Sequence, residues 1–153
     1  MKKILMTLAL VLASQMAFCQ TIDEVFEKVK ALPNAQYQEI SKEMMAFVLA
    51  QMNDEKTKKT MQKVESMSFG MISSPTEETR TAFIDIVSSL KNRYNKVAEE
   101  QEEGQKMFVF TDSDDAGKPL GLILGVSEGE GCQLIYFKGN VGMEDLEALS
   151  NMK

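Results

Sequence analysis

The chain has 153 residues, 17 basic against 23 acidic side chains for a net charge of −6, and no histidine. The acidic balance argues against nucleic acid or an anionic membrane surface as a partner. The lack of histidine excludes Ser-His-Asp and Cys-His nucleophile systems, His-bearing zinc sites and His-based pH switches.

Lys2 and Lys3, an apolar run from Ile4 to Ala13 broken by Thr7, and a more polar exit from Ser14 to Cys19 have the three-part layout of a secretory signal peptide. The run is shorter than the roughly 20 residues a membrane-spanning helix needs, and a buried N-terminal helix is the other reading. Ala17, Phe18 and Cys19 before Gln20 fit a small-x-small cleavage site, so the cut is expected after Cys19. Residues 1–19 are then signal and 20–153 one domain, periplasmic or extracellular, with no membrane insertion. The rival reading makes Cys19 a lipidated residue that tethers the domain to a membrane, although Phe18 is large for that signal. Loss of Lys2 and Lys3 takes the net charge to −8, over 134 residues, enough for one hydrophobic core. Cys132 is then the lone thiol, so no intramolecular disulfide forms. It reads as a small buried residue in a strand; an intermolecular disulfide or a reactive thiol is the alternative.

Residues 21–32 read as a helix, with Ile22, Val25, Phe26 and Val29 in one stripe and Thr21 and Glu24 able to form a capping box. Residues 36–40 form a short strand candidate. A helix starting at Ser41 has Met44, Met45, Val48, Leu49 and Met52 as its buried side, and a mostly solvated helix spans 55–64. Residues 65–73 alternate with a period of two. Ser74, Pro75 and Glu77 read as N-cap, first helical position and N3. The helix they open runs over 75–100 on the spacing of Phe83, Ile86, Val87, Leu90, Tyr94 and Val97, with Gly104 terminating the segment. We expect its stripe to pack on Leu120, Leu122 and Leu124 of a closing meander. That meander comprises 106–111, 120–126 and 132–138, joined by two polar, glycine-bearing turns. A final short helix covers 143–151. The order predicts an α+β fold: an antiparallel sheet of about five strands with helices mostly on one face, closed by the three-strand meander and a short helix.

No constellation here carries chemistry. Asp112, Asp114 and Gly117 match positions 1, 3 and 6 of a calcium loop, but Ile123 stands at position 12, so the segment reads as a hairpin turn. Nine of the twelve methionines lie beyond the signal and read as core, not as copper ligands. Glu99, Glu100, Glu102 and Glu103 read as a solvated helix end. Ser127 to Gly131 holds Glu128 and Glu130, which a phosphate cradle does not tolerate.

With the elements placed, the chain resembles small exported Bacteroidetes proteins of the domain of unknown function 4252 family, or a sister family. The resemblance rests on the signal end Ala17-Phe18-Cys19-Gln20, the strand-helix unit from Ala35 to Met45, the hairpin region Met107 to Phe110, and the closing segment from Leu134 to Leu146. Several members look like lipoproteins, which bears on Cys19, and the family carries no assigned activity over to this chain. The expected function is a non-catalytic envelope binding module with no cofactor and no metal. Its partner is expected to be another envelope protein, met through a sheet face or edge or through the acidic run. A lipid-anchored structural component and a histidine-free enzyme are the alternatives.

Overall fold

The structure, a computed structural model, describes residues 21–150. The expected signal segment, with Ala17, Cys19 and Gln20, and residue 151 of the helix expected over 143–151 therefore lie outside the described residues. The elements in chain order are α1 (Ile22–Lys30), β1 (Ala35–Ile40), α2 (Lys42–Gln51), α3 (Glu55–Met61), β2 (Val64–Ser73) and α4 (Glu77–Ser88). They continue with β3 (Asn95–Glu102), β4 (Gln105–Ser113), β5 (Pro119–Glu128), β6 (Gly131–Gly139) and α5 (Leu146–Ser150). The strands form one sheet in the order β1-β2-β6-β5-β4-β3, every neighbouring pair antiparallel. The α+β antiparallel architecture and the β4-β5-β6 meander are as expected.

The sheet has six strands, not five, because the helix expected over 75–100 stops at Ser88. A single 3₁₀ stretch, Ser89–Asn92, follows, and from Asn95 the chain is β3. Ser88, Ser89, Asn92 and Asn95 are weak helix formers, and β3 gains a hydrogen-bond ladder to β4 by folding back at Gly104, whose φ is 73°. Gly104 is thus a hairpin turn, not a helix stop. The acidic run lies on this edge strand and its turn. Charges there discourage another chain from pairing with the edge. Glu99 binds Lys96 at 2.7 Å and faces Lys106 at 3.6 Å, and the Lys96 hydrogen bond holds its carboxyl below the usual range.

Local chemistry sets the other boundaries. Thr21 caps α1 in the capping box read from the sequence. α4 is capped by Thr76, which accepts from the Thr79 N–H at 3.1 Å. Ser74, expected to be that cap, instead takes a positive φ of 49° in the turn before it. The candidate calcium loop is a tight β4-β5 turn. The Asp114 carboxylate accepts from the backbone N–H of Ala116 and Lys118, and Gly117 supplies the positive φ.

Helices cover both faces of the sheet. On one face α1 and α4 pack Ile22, Val25, Phe26, Val29, Phe83 and Val87 against Phe108, Phe110, Ile123, Cys132 and Leu134. On the other, Met45, Met61, Val141 and Leu149 meet Met67, Val109, Leu122, Leu124 and Phe137. Successive strand residues point to opposite faces, so Ile123 and Leu122 serve different cores. The α4 stripe accordingly packs on the Ile123 face and not on Leu122 and Leu124. Gly125 admits it: a Cβ there would stand 2.6 Å from Val87 Cγ1. Leu120 is 40% exposed, and on α2 only Met45 of the expected side is fully buried, Met44 being outward.

Leu90 is fully buried although it sits in the 3₁₀ turn, and Lys91 beside it is exposed. Leu90→Ala is expected to cost about 2–5 kcal/mol through lost burial and the cavity left behind. Lys91→Ala is expected to cost under about 0.5 kcal/mol. Urea midpoints measure both, and equal midpoints would remove Leu90 from the core.

Candidate functional site

Among the described residues the helix cover of the first face is incomplete. α1 begins at Ile22, and beyond its N-terminus the sheet carries polar side chains in place of apolar ones. Strand register assembles them. Ser66, Lys138, Gly121 and Asp112 form one cross-strand row, and Glu39, Ser68 and Tyr136 lie in the next. All of these but Gly121, together with Thr21, Ile22, Asp23 and Tyr94, line an open cavity of about 440 Å³, within the usual size range of small-ligand sites.

Two tyrosines build its walls. Tyr94 follows the 3₁₀ turn, and its hydroxyl oxygen accepts the Ile22 N–H at 2.9 Å, satisfying one of the free donors at the start of α1. Tyr136, on β6, lays its ring over Gly121 and donates its hydroxyl to Asp112 Oδ2 at 3.3 Å. A Cβ on Gly121 would come within 2.5 Å of that ring and 2.8 Å of the Phe137 carbonyl oxygen, so the glycine is what lets the ring lie down. Both tyrosines are 9% exposed.

Electrostatics hold both hydroxyls protonated. Burial pushes the Tyr136 hydroxyl well above the ordinary tyrosine range, and the Asp112 charge adds to it. Burial also raises Tyr94, against the opposing effect of the Ile22 N–H bond. Asp23, Glu39, Asp112 and Lys138 place both signs of charge around the cavity, yet among the described residues none of the four forms a salt bridge.

A second cavity, of about 500 Å³, lies at the opposite end of the sheet between β2 and the β5-β6 hairpin. It is the larger, but its charged side chains are Glu128 and Glu130, of one sign and both exposed. Arg80 ties that hairpin to α4 through Ser127 Oγ at 2.8 Å and the carbonyl oxygens of Glu128 and Gly129. Cys132, in its wall, is 1% exposed and donates to Ser127 Oγ at 3.6 Å. The polar cavity offers the richer chemistry. A third surface is the outer side of α2, where Phe47 is 70% and Met44 53% exposed.

Little of this site was singled out from the sequence. Asp112 was noticed as a calcium-loop position, and its carboxylate instead meets Tyr136. Tyr94 was placed on a helix stripe and Tyr136 on a strand, without a role. Tyr136 and Lys138 share a face of β6, and only the register brings Asp112 two strands away from Lys138. Among the described residues no group of three or more His, Cys, Asp or Glu side chains is placed to hold a metal, and no helix is long and apolar enough to cross a membrane.

Comparison with curated proteins and with solved structures finds no match. One family profile does match, over residues 29–149, and those residues include every strand and all of the helices just described except residues 22–28 and Ser150. The chain therefore belongs to the family described as Domain of unknown function (DUF4252).

Proposed function

We propose that the protein is an exported, non-catalytic binding module that holds a small polar ligand at the uncovered end of its sheet. The observation that carries this is the Tyr94–Tyr136 pair. Two buried hydroxyls line an open cavity, and their environment binds their protons more tightly than usual. Groups that stay neutral across the physiological range recognise by hydrogen bonding; proton-transfer catalysis calls for pKa values near the working pH.

The test is native mass spectrometry of the protein purified from its own cell envelope. A small-molecule adduct is expected on the wild type. It is expected to be lost in Gly121→Ala, where the new methyl displaces the Tyr136 ring, and in Asp112→Asn. An adduct-free wild type would contradict the reading. The same spectra report processing. The expected mass is that of a chain beginning at Gln20, and acyl mass on Cys19 would make the module lipid-anchored.

The outer side of α2 favours a second reading, a protein partner in the envelope. Phe47 and Met44 expose a large apolar area on a helix whose opposite side is already packed, the kind of surface partners cover. Phe47→Ser should abolish capture of such a partner and leave the melting temperature unchanged.

A further inference from the structure

β1 and β3 are the two edges of the sheet, and they meet a neighbouring chain differently. β3 carries Lys96, Glu99, Glu100 and Glu102 and a bulge between Lys96 and Ala98, all of which oppose pairing at an edge. β1 carries Glu39 as its single charge, with no proline, no lysine and no register shift against β2. Its residues Gln36, Tyr37, Gln38 and Glu39 are all exposed. Alternation decides which of its backbone groups are free. The N–H and C=O of one residue in an antiparallel strand point to the same side, and the sides alternate along the strand. Ala35 gives its N–H to the Leu32 carbonyl oxygen at 3.3 Å, not to β2. Ala35, Tyr37 and Glu39 therefore aim their backbone groups away from the sheet, and Gln36, Gln38 and Ile40 aim theirs at β2.

We infer that β1 is a dimerisation edge, on which a second copy of the chain lays its own β1 antiparallel about a two-fold axis. Outward-facing residues exchange the hydrogen bonds, so Tyr37 and Glu39 set the register. Lys30 lies over the Tyr37 ring, 4.3 Å from its centroid. Tyr37 opposite the partner's Tyr37 would bring the two Lys30 ammoniums together. Glu39 opposite the partner's Glu39 would set like charges face to face. Tyr37 opposite the partner's Glu39 does neither. It places Gln38 on the axis, facing its own copy, and Gln36 opposite the partner's Ile40. It also joins unlike groups. The Tyr37 hydroxyl already donates to Glu39 within the chain at 3.4 Å. Side chains directly opposite have Cβ atoms about 4.5–5.5 Å apart, so the partner's Glu39 comes to the tyrosine and to the lysine above it. Symmetry makes the same contact again on the other side of the axis. The two sheets become one. Glu39 lines the polar cavity, so the partner's Tyr37 stands at the β1 rim of that cavity.

Sedimentation equilibrium of the purified protein tests this. The contact is one short strand wide, so the wild type is expected to show a weak monomer–dimer equilibrium at micromolar concentration. Gln38 faces itself in this register alone, and it is exposed, so a charge there should leave the fold intact. Gln38→Lys and Gln38→Glu each set like charges across the axis. Each is expected to raise the dimer dissociation constant at least about fivefold. Mixed in equal amounts, the two variants are expected to recover wild-type association as a heterodimer. Glu39→Pro removes an outward N–H and keeps the ladder to β2. It is expected to be monomeric, with little change in melting temperature in dilute solution. A wild type that stays monomeric would overturn the proposal, even if an extended segment of another protein took the edge. Dimers that both Gln38 variants leave intact would also overturn it, as would a mixture no tighter than either variant alone.

Discussion

Gly139→Ala should be among the most damaging single substitutions in the chain, costing about 3–5 kcal/mol from strain and overpacking together. Gly139 ends β6 with φ at 143°, a conformation L-residues rarely adopt. The added Cβ would also press into the Lys63 carbonyl oxygen and stand 3.0 Å from the Glu65 nitrogen. Both neighbours are backbone, at the bulge where β2 begins pairing with β6, so neither can rotate away. Two controls separate the causes. Gly104 has φ 73° with open space around it, so Gly104→Ala should cost only the left-handed penalty, about 1–2 kcal/mol. Gly129 has neither constraint, and Gly129→Ala should be silent. Urea denaturation of the three variants is the measurement. Equal midpoints for Gly139→Ala and Gly104→Ala would mean the close approach to Lys63 is absent.

Phe83→Ala and Phe137→Ala should each cost about 3–5 kcal/mol, the usual range for truncating a buried phenylalanine. Phe83 belongs to the α1-α4 core and Phe137 to the core under α2, α3 and α5; both are at most 2% exposed. A domain of this size has about 5–15 kcal/mol of stability in all, so the double variant should be largely unfolded. A large effect at Phe83 with none at Phe137 would mean that only one face of the sheet is covered.

Element types were largely legible in the sequence because several elements carry their own period or their own cap: Thr21 with Glu24, Ser41, and the alternation of β2 and β5. Two things were not legible. Tyr94 and Val97 fall on a helical spacing by coincidence. The ladder to β4, which decides for strand, is a partner segment that a local pattern does not contain. The two-sided cover was hidden for a related reason. β5 is apolar on both faces, Ile123 on one and Leu122 and Leu124 on the other, and alternation alone does not say that both are covered. The site is less legible still. Its residues come from α1, β1, β2, β4 and β6 and from the turn before β3, and only strand register places Asp112, Gly121 and Lys138 side by side.

Tyr94 and Tyr136 form a buried, protonated pair at the end of the sheet beyond the start of α1. Spectrophotometric titration of tyrosinate tests it, since no tryptophan interferes. The folded pKa of each is raised above the unfolded value of about 10. Their contribution to stability is therefore complete below that pH and is lost as pH rises through the folded values. Two tyrosines are expected to ionise above the ordinary range, together with alkaline loss of stability. In Tyr136→Phe only one such tyrosine should remain. Ionisation of all three tyrosines together near pH 10, with unchanged stability, would contradict it.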